Sequence, residues 1–156
     1  MSDEPKVVFD GVSMAFRKNG SPLQVLEDIR LEVAESEFVC LLGPSGCGKS
    51  TLLNLVAGLD LADDGEIVLA GETITGRSED WLARMRRRRI GIVFQFFNLL
   101  EGMTALENVV LPAMIAGTKR RPAESRARDL LDLLGLGDKI SELPAVLSGG
   151  QRQRLA

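Results

Sequence analysis

The sequence predicts an α/β fold, and three features carry the prediction. Phe38-Val39-Cys40-Leu41-Leu42 is a continuous apolar run, the pattern of a strand buried on both faces of a parallel sheet. A glycine-rich turn over residues 43–48 follows it, and then a helical pattern over residues 49–57. From Asn98 onward the apolar spacing is helical throughout, so a β-rich first part of about 1–97 gives way to a helical part of about 98–156.

Taken in order, residues 7–9, 12–16 and 26–33 are short apolar or alternating runs that predict strands, with a turn at Asn19-Gly20-Ser21-Pro22. The helix after the glycine-rich turn should stop at Gly58. Ile67–Ala70 and Ile90–Phe94 predict two more strands. Between them Ser78 is placed to cap a helix to about Arg88, with Glu79 and Asp80 near its positive end. Thr104-Ala105-Leu106-Glu107 fits a capping box before an apolar run. Pro122 suits the first turn of a further helix, whose inner face should include Leu130, Leu131, Leu133 and Leu134 and which Gly135 should end. Neither an internal repeat nor a low-complexity linker is present.

Composition narrows the classes. The 156 residues are 45% hydrophobic and 26% charged, ordinary for a globular chain with a sizeable core. A net charge of −3 and a pI of about 5.1 argue against a nucleic-acid coat. Two cysteines, Cys40 and Cys47, are too few for a disulfide framework. The polar opening and the shortness of every apolar run predict a cytoplasmic chain that reaches a membrane only through partners. Arg84 and Arg86–Arg89 make a basic helix end, read either as a solvated face helped by the helix dipole or as a contact for a partner or anionic lipid.

Gly43-Pro44-Ser45-Gly46-Cys47-Gly48-Lys49-Ser50 fits G-x-x-x-x-G-K-[ST] at every fixed position. A triphosphate needs many donors in a small volume. The glycines let successive N–H groups converge on an anion, and the next helix points its N-terminus at the same place. Lys49 adds a point charge for the outer phosphates, and Ser50 can ligate Mg²⁺. Cys47 fills a free position, read as structural or without a role in preference to catalytic. Leu147-Ser148-Gly149-Gly150-Gln151 is the second signal: a hydroxyl and two glycine amides at a helix start, which by itself reads equally as a plain N-cap.

Together, the Lys49 loop, Gln95 after an apolar run, a helical stretch and then LSGGQ resemble the ATP-binding subunits of ABC transporters, over nearly the whole chain. The resemblance implies a P-loop NTPase core with an inserted helical subdomain, incomplete at its C-terminal end. It implies that Gly43, Ser45, Gly46, Cys47, Gly48, Lys49, Ser50 and Thr51 bind ATP, with Ser50 and Gln95 toward Mg²⁺. Lys49 and Gln95 would be catalytic, Gln95 through the attacking water. Ser148, Gly149, Gly150 and Gln151 would meet ATP held by a second subunit in a head-to-tail dimer. Phe16 would stack on adenine, the other reading being a strand core residue. Phe94-Gln95-Phe96-Phe97-Asn98-Leu99-Leu100 with Thr104–Val109 resembles more narrowly the lipoprotein-releasing and macrolide-export type. That implies export or lipoprotein or peptide-type transport with transmembrane permease subunits, at the inner membrane. Phe96, Phe97 and Leu99 are then either partner contacts or core.

The family continues past the signature with an apolar strand ending in Asp-Glu, and later a histidine. The only Asp-Glu here is Asp3-Glu4, and the sequence has no His. The expectations are a fragment of a longer protein, negligible ATP turnover by these residues alone, and an exposed Phe38–Leu42 segment that lowers solubility. The alternatives are a soluble non-transport ABC ATPase, or a nucleotide-binding module without hydrolysis. A short interval between Gln95 and Ser148, without heptads, weighs against the DNA-repair relatives.

Overall fold

The computed structural model describes residues 4–18 and 20–156, in two compact units, Met1–Arg86 and Arg87–Ala156. The first unit is built on a four-stranded antiparallel sheet. Strand β1 (Val7–Lys18) lies between β2 (Ser21–Val33) and β3 (Asp64–Leu69), and the short β4 (Glu72–Thr73) pairs with β3. The predicted strands over 7–9 and 12–16 are one strand. Its register slips between Phe9 and Val12, where Gly11 takes a left-handed conformation. The slip changes which face the following residues point to, so Phe9, Val12 and Met14 are all buried. Gly65 crosses close to this bulge. A Cβ on it would lie 2.5 Å from the Gly11 carbonyl, so no side chain fits.

Helix α1 (Lys49–Val56) buries Leu52 and Leu55 and packs against β2 and β3. Gly58, in the left-handed region, ends it by donating to the Leu55 carbonyl. Helix α2 (Glu79–Arg89) starts where the Ser78 carbonyl accepts from the amides of Trp81 and Leu82, and it buries Leu82 and Met85. Arg86 donates to the Gly58 carbonyl at 2.6 Å and pairs with Glu79, so this member of the basic helix end is a local tie. Arg84, Arg87 and Arg88 are exposed. The Asn19 part of the predicted turn lies outside the described residues.

The second unit holds α3 (Ala105–Ile115), α4 (Arg120–Leu133) and α5 (Gly149–Leu155), with single 3₁₀ turns at Gly137–Lys139 and Pro144–Val146. Ala105, Leu131, Leu136, Leu147 and Leu155 form its buried centre, with Leu99, Leu106, Val109 and Ile140 against them. Val110, Ala123 and Ala127 form a second small cluster. Thr104 and Glu107 make the predicted capping box. Asn108 fastens the preceding loop: its Oδ1 accepts from the Leu100 amide at 2.8 Å, and its Nδ2 donates to the carbonyls of Leu100, Met103 and Thr104.

Three expectations are corrected. Phe38–Leu42 is not a strand, although its expected exposure is observed, with Phe38 93% exposed and Leu42 88% exposed. Ile90–Phe94 is not a strand either. Apolar periodicity reports a segment suited to burial, but a strand also needs lateral backbone partners, and among the described residues none pairs with these two. The inner face of α4 is Ala123, Ala127 and Leu131, at i, i+4 and i+8. Leu133, two positions on, is carried to the far side of the helix and is 81% exposed, with Leu134 also exposed. Among the described residues no helix is long and apolar enough to cross a membrane.

Candidate functional site

The residues singled out above fall into one set in each unit. In the first unit the loop over residues 43–48 is followed directly by α1, whose N-cap is Gly48 at φ 93°. Only glycine suits that position: a Cβ would meet Leu26 Cδ2 at 2.9 Å and the Val25 carbonyl at 3.0 Å, in a conformation L side chains avoid. Gly48 offers no capping side chain, so no cap of its own accepts from the leading N–H groups of α1. Lys49 folds back over the loop. Its Nζ donates to the carbonyls of Gly43 at 2.9 Å and Pro44 at 2.7 Å and lies 3.5 Å from Cys47 Sγ. No carboxylate pairs with it among the described residues. Ser45, Gly46, Cys47 and Ser50 are exposed and Thr51 is half-buried.

The loop thus brings together a helix N-terminus, a bent glycine backbone and an ammonium that donates to two backbone carbonyls and the Cys47 sulfur, a set of groups that favours negative charge. Phe16 is in β1, 41% exposed, opposite the exposed Leu23 of β2. The core reading of Phe16 is therefore wrong, and it presents an aromatic surface.

In the second unit Ser148 caps α5. Its Oγ accepts from the Gln151 amide at 3.3 Å, and the Gln151 carboxamide oxygen accepts from the Ser148 amide at 2.8 Å. Both hydrogen bonds of the box stay within four residues. Buried Leu147 and Leu155 anchor the two ends. Ser148, Gly149 and Gly150 are exposed. Gln95 is exposed at a turn closed by the Phe97 amide donating to the Phe94 carbonyl at 3.3 Å. Of the aromatic and aliphatic residues after it, Phe96 is 81% exposed, Phe97 is half-buried and Leu99 is half-buried against the core. Sequence reasoning missed Arg152, whose guanidinium lies over the Phe97 ring at 5.7 Å. The signal available was an arginine directly after Gln151 and an aromatic two residues after Gln95. It also missed Asn108, one of only two polar residues in an otherwise apolar helix.

The family model described as ABC transporter matches residues 26–156. This chain belongs to the ABC transporter family. It is 44% identical over 156 residues to an ABC transporter ATP-binding protein of Mycobacterium tuberculosis, covering 100% of this chain and 63% of that one. It is 44% identical over 152 residues to the lipoprotein-releasing system ATP-binding protein LolD of Cereibacter sphaeroides, covering 96% of this chain and 67% of the relative. A solved ATP-binding cassette, dimeric in a post-hydrolysis state and bound to ADP and Pi, superposes with a TM-score of 0.89 at 35% identity. That match covers 96% of this chain and 66% of the other. The chain thus spans a little under two thirds of the length of its Mycobacterium relative. The α/β fold of ABC ATPases is established for it, with the Lys49 loop, Gln95 and the Ser148 turn inside the matched residues.

Proposed function

We propose that this chain is the ATP-binding, energy-coupling part of an ABC transporter, with the loop over residues 43–51 as its Mg²⁺–ATP site. The observation that carries the reading is Lys49, an ammonium bent over a glycine-rich helix start that donates to two backbone carbonyls and the Cys47 sulfur and, among the described residues, to no carboxylate. Such a group exchanges two neutral acceptors for phosphate oxygens at little reorganisation cost. Residues 45–51 would supply backbone donors, Ser50 and Gln95 would stand toward Mg²⁺, and exposed Phe16 would take the adenine ring. Bound Mg²⁺–ATP supplies a transferable γ-phosphoryl group and the binding energy that couples to motion.

Ser148, Gly149, Gly150 and Gln151 would face the nucleotide of a second copy, so that ATP closes a head-to-tail pair and the pair moves permease subunits. The likeness to LolD supports lipoprotein-releasing or related export as the transport type. Co-purification of permease subunits from membranes tests that part, and recovery without any integral membrane protein counts against it.

The central experiment titrates the protein with a fluorescent ATP analogue and Mg²⁺. Removing one charge-assisted phosphate contact is worth about 1.5–3 kcal/mol, so Lys49→Ala should weaken binding about 10- to 150-fold with an unchanged circular dichroism spectrum. Equal affinities in wild type and Lys49→Ala would remove the loop from the reading. Sedimentation of the same samples reads the pairing, and a monomer at saturating ATP would remove that feature.

A further inference from the structure

Phe97 and Asn98 both sit in the left-handed backbone region, at φ 62° and 51°. Neither is glycine, and a bulky aromatic there is an outlier that persists only where its surroundings over-determine it. Three contacts do so. The Phe97 amide donates to the Phe94 carbonyl at 3.3 Å, and the Asn98 amide donates to the Phe96 carbonyl at 2.6 Å. Next, Leu99 is packed into the core of the second unit, and Asn108 holds both backbone groups of Leu100. The third contact is Arg152. Its guanidinium carbon lies 5.7 Å from the centre of the Phe97 ring, within cation–π range. Its Nε is buried with no hydrogen-bond partner. A guanidinium that leaves a buried donor unmatched in order to cover an aromatic face is held there by packing, not by a competing acceptor.

Arg152 belongs to α5, one residue beyond the Ser148–Gln151 capping box. Phe97 lies two residues beyond Gln95. The ring and the guanidinium therefore connect the two segments of the second unit to which the proposed function assigns nucleotide contacts. We infer that Arg152 is a positioning residue: stacked on Phe97, it ties the Gln95 turn to the helix that carries Ser148–Gln151, so the two segments move together. The inference deepens the proposed nucleotide reading and rests on it for its purpose. The asymmetry of the loop fits this role. From Leu99 on it is fixed to the core, whereas Gln95 and Phe96 are exposed, leaving the strained elbow at residues 97–98 as the place where α5 acts on Gln95.

Hydrogen exchange on the full chain tests the tie, with the Phe97 and Asn98 amides as reporters and the amides of Leu134 and Leu136 as core controls. Arg152→Ala should speed exchange at the reporters about five- to tenfold, the loss of a partly desolvated cation–π contact, with the controls unmoved. Phe97→Leu should match it, and the double variant should be no worse than either single one. Arg152→Lys and Phe97→Tyr, which keep a cation and a ring, should restore most of the protection. Unmoved reporters, additive effects of the two substitutions, no rescue by the conservative variants, or exchange that rises equally at the controls would each overturn the tie. The same samples are titrated with the ATP analogue. A wild type that fails to bind ATP overturns the nucleotide reading and the tie's role with it. A wild type that binds ATP while Arg152→Ala leaves the reporters unmoved overturns the tie alone.

Discussion

The Lys49 loop and the Ser148 turn are both glycine-containing helix starts, yet the chain builds them by opposite means. Gly48 contributes no capping side chain, and α1 begins with a lysine bent back onto the Gly43 and Pro44 carbonyls of the loop before it. Ser148 and Gln151 satisfy each other's backbone, and the turn is closed. The open start is shaped by its neighbour, because Gly48 fits only against Val25 and Leu26 of β2. The closed start is shaped by its own four residues and by a core beneath it that is complete, with Leu131, Leu136 and Ala105 at 0% exposure. An open donor set suits a ligand that must be captured whole.

Separate substitutions can break or sharpen this contrast. The largest effect should come from Leu131→Ala, which removes the centre of the second unit's core. A loss of about 2–5 kcal/mol is expected from chemical denaturation, with the Ser148 turn loosened and ATP-analogue binding at the Lys49 loop weakened far less. Equal damage to binding would show that the two starts do not depend on separate cores. Gly48→Ala should cost about 1–3 kcal/mol in the first unit through backbone strain and the clash with Val25 and Leu26. It should also weaken nucleotide binding although no charge is lost, and unchanged binding would mean that β2 does not shape the loop.

The smallest effect concerns the other capping box. The Thr104 backbone amide, then its hydroxyl, and last the Arg120 charge hold the Glu107 carboxyl below its ordinary value of 4.5. Because the folded value is the lower one, this stabilisation is complete above about pH 4.5 and fades as pH falls through the lowered value. Wild type should therefore lose its thermal-stability advantage over Glu107→Gln as pH falls below about 4.5 and through the lowered folded value. A constant difference across that range would rule the charged form out as the source. The group is fully exposed, so solvent screens the effect and it should be small.

Much of this was legible in the residues. The Lys49 loop, the Thr104–Glu107 box and the stop at Gly58 are local devices, and each formed where its pattern predicted. Ser148–Gln151 was readable as a cap for the same reason: both partners of each hydrogen bond lie within four residues. The misreadings share one cause. Phe38–Leu42 and Ile90–Phe94 have the composition of buried strands, but strands exist only as pairs; the exposure of Phe38–Leu42 was expected, its lack of strand structure was not. Leu133 and Leu134 are apolar like their neighbours, and only the angle at which α4 lies on α3 decides that Ala123, Ala127 and Leu131 face inward.

By itself, then, the sequence determined the helix starts and stops, the glycine positions and the family, because these depend on contacts a few residues apart and on motifs with fixed spacing. Tertiary structure alone decided the slip at Gly11 that buries Phe9 and Val12 together, the exposure of Phe16, and the meeting of Arg152 with Phe97. Each of these depends on where a distant segment comes to rest, and the free energy that selects it is spread over a core that no short window of sequence contains.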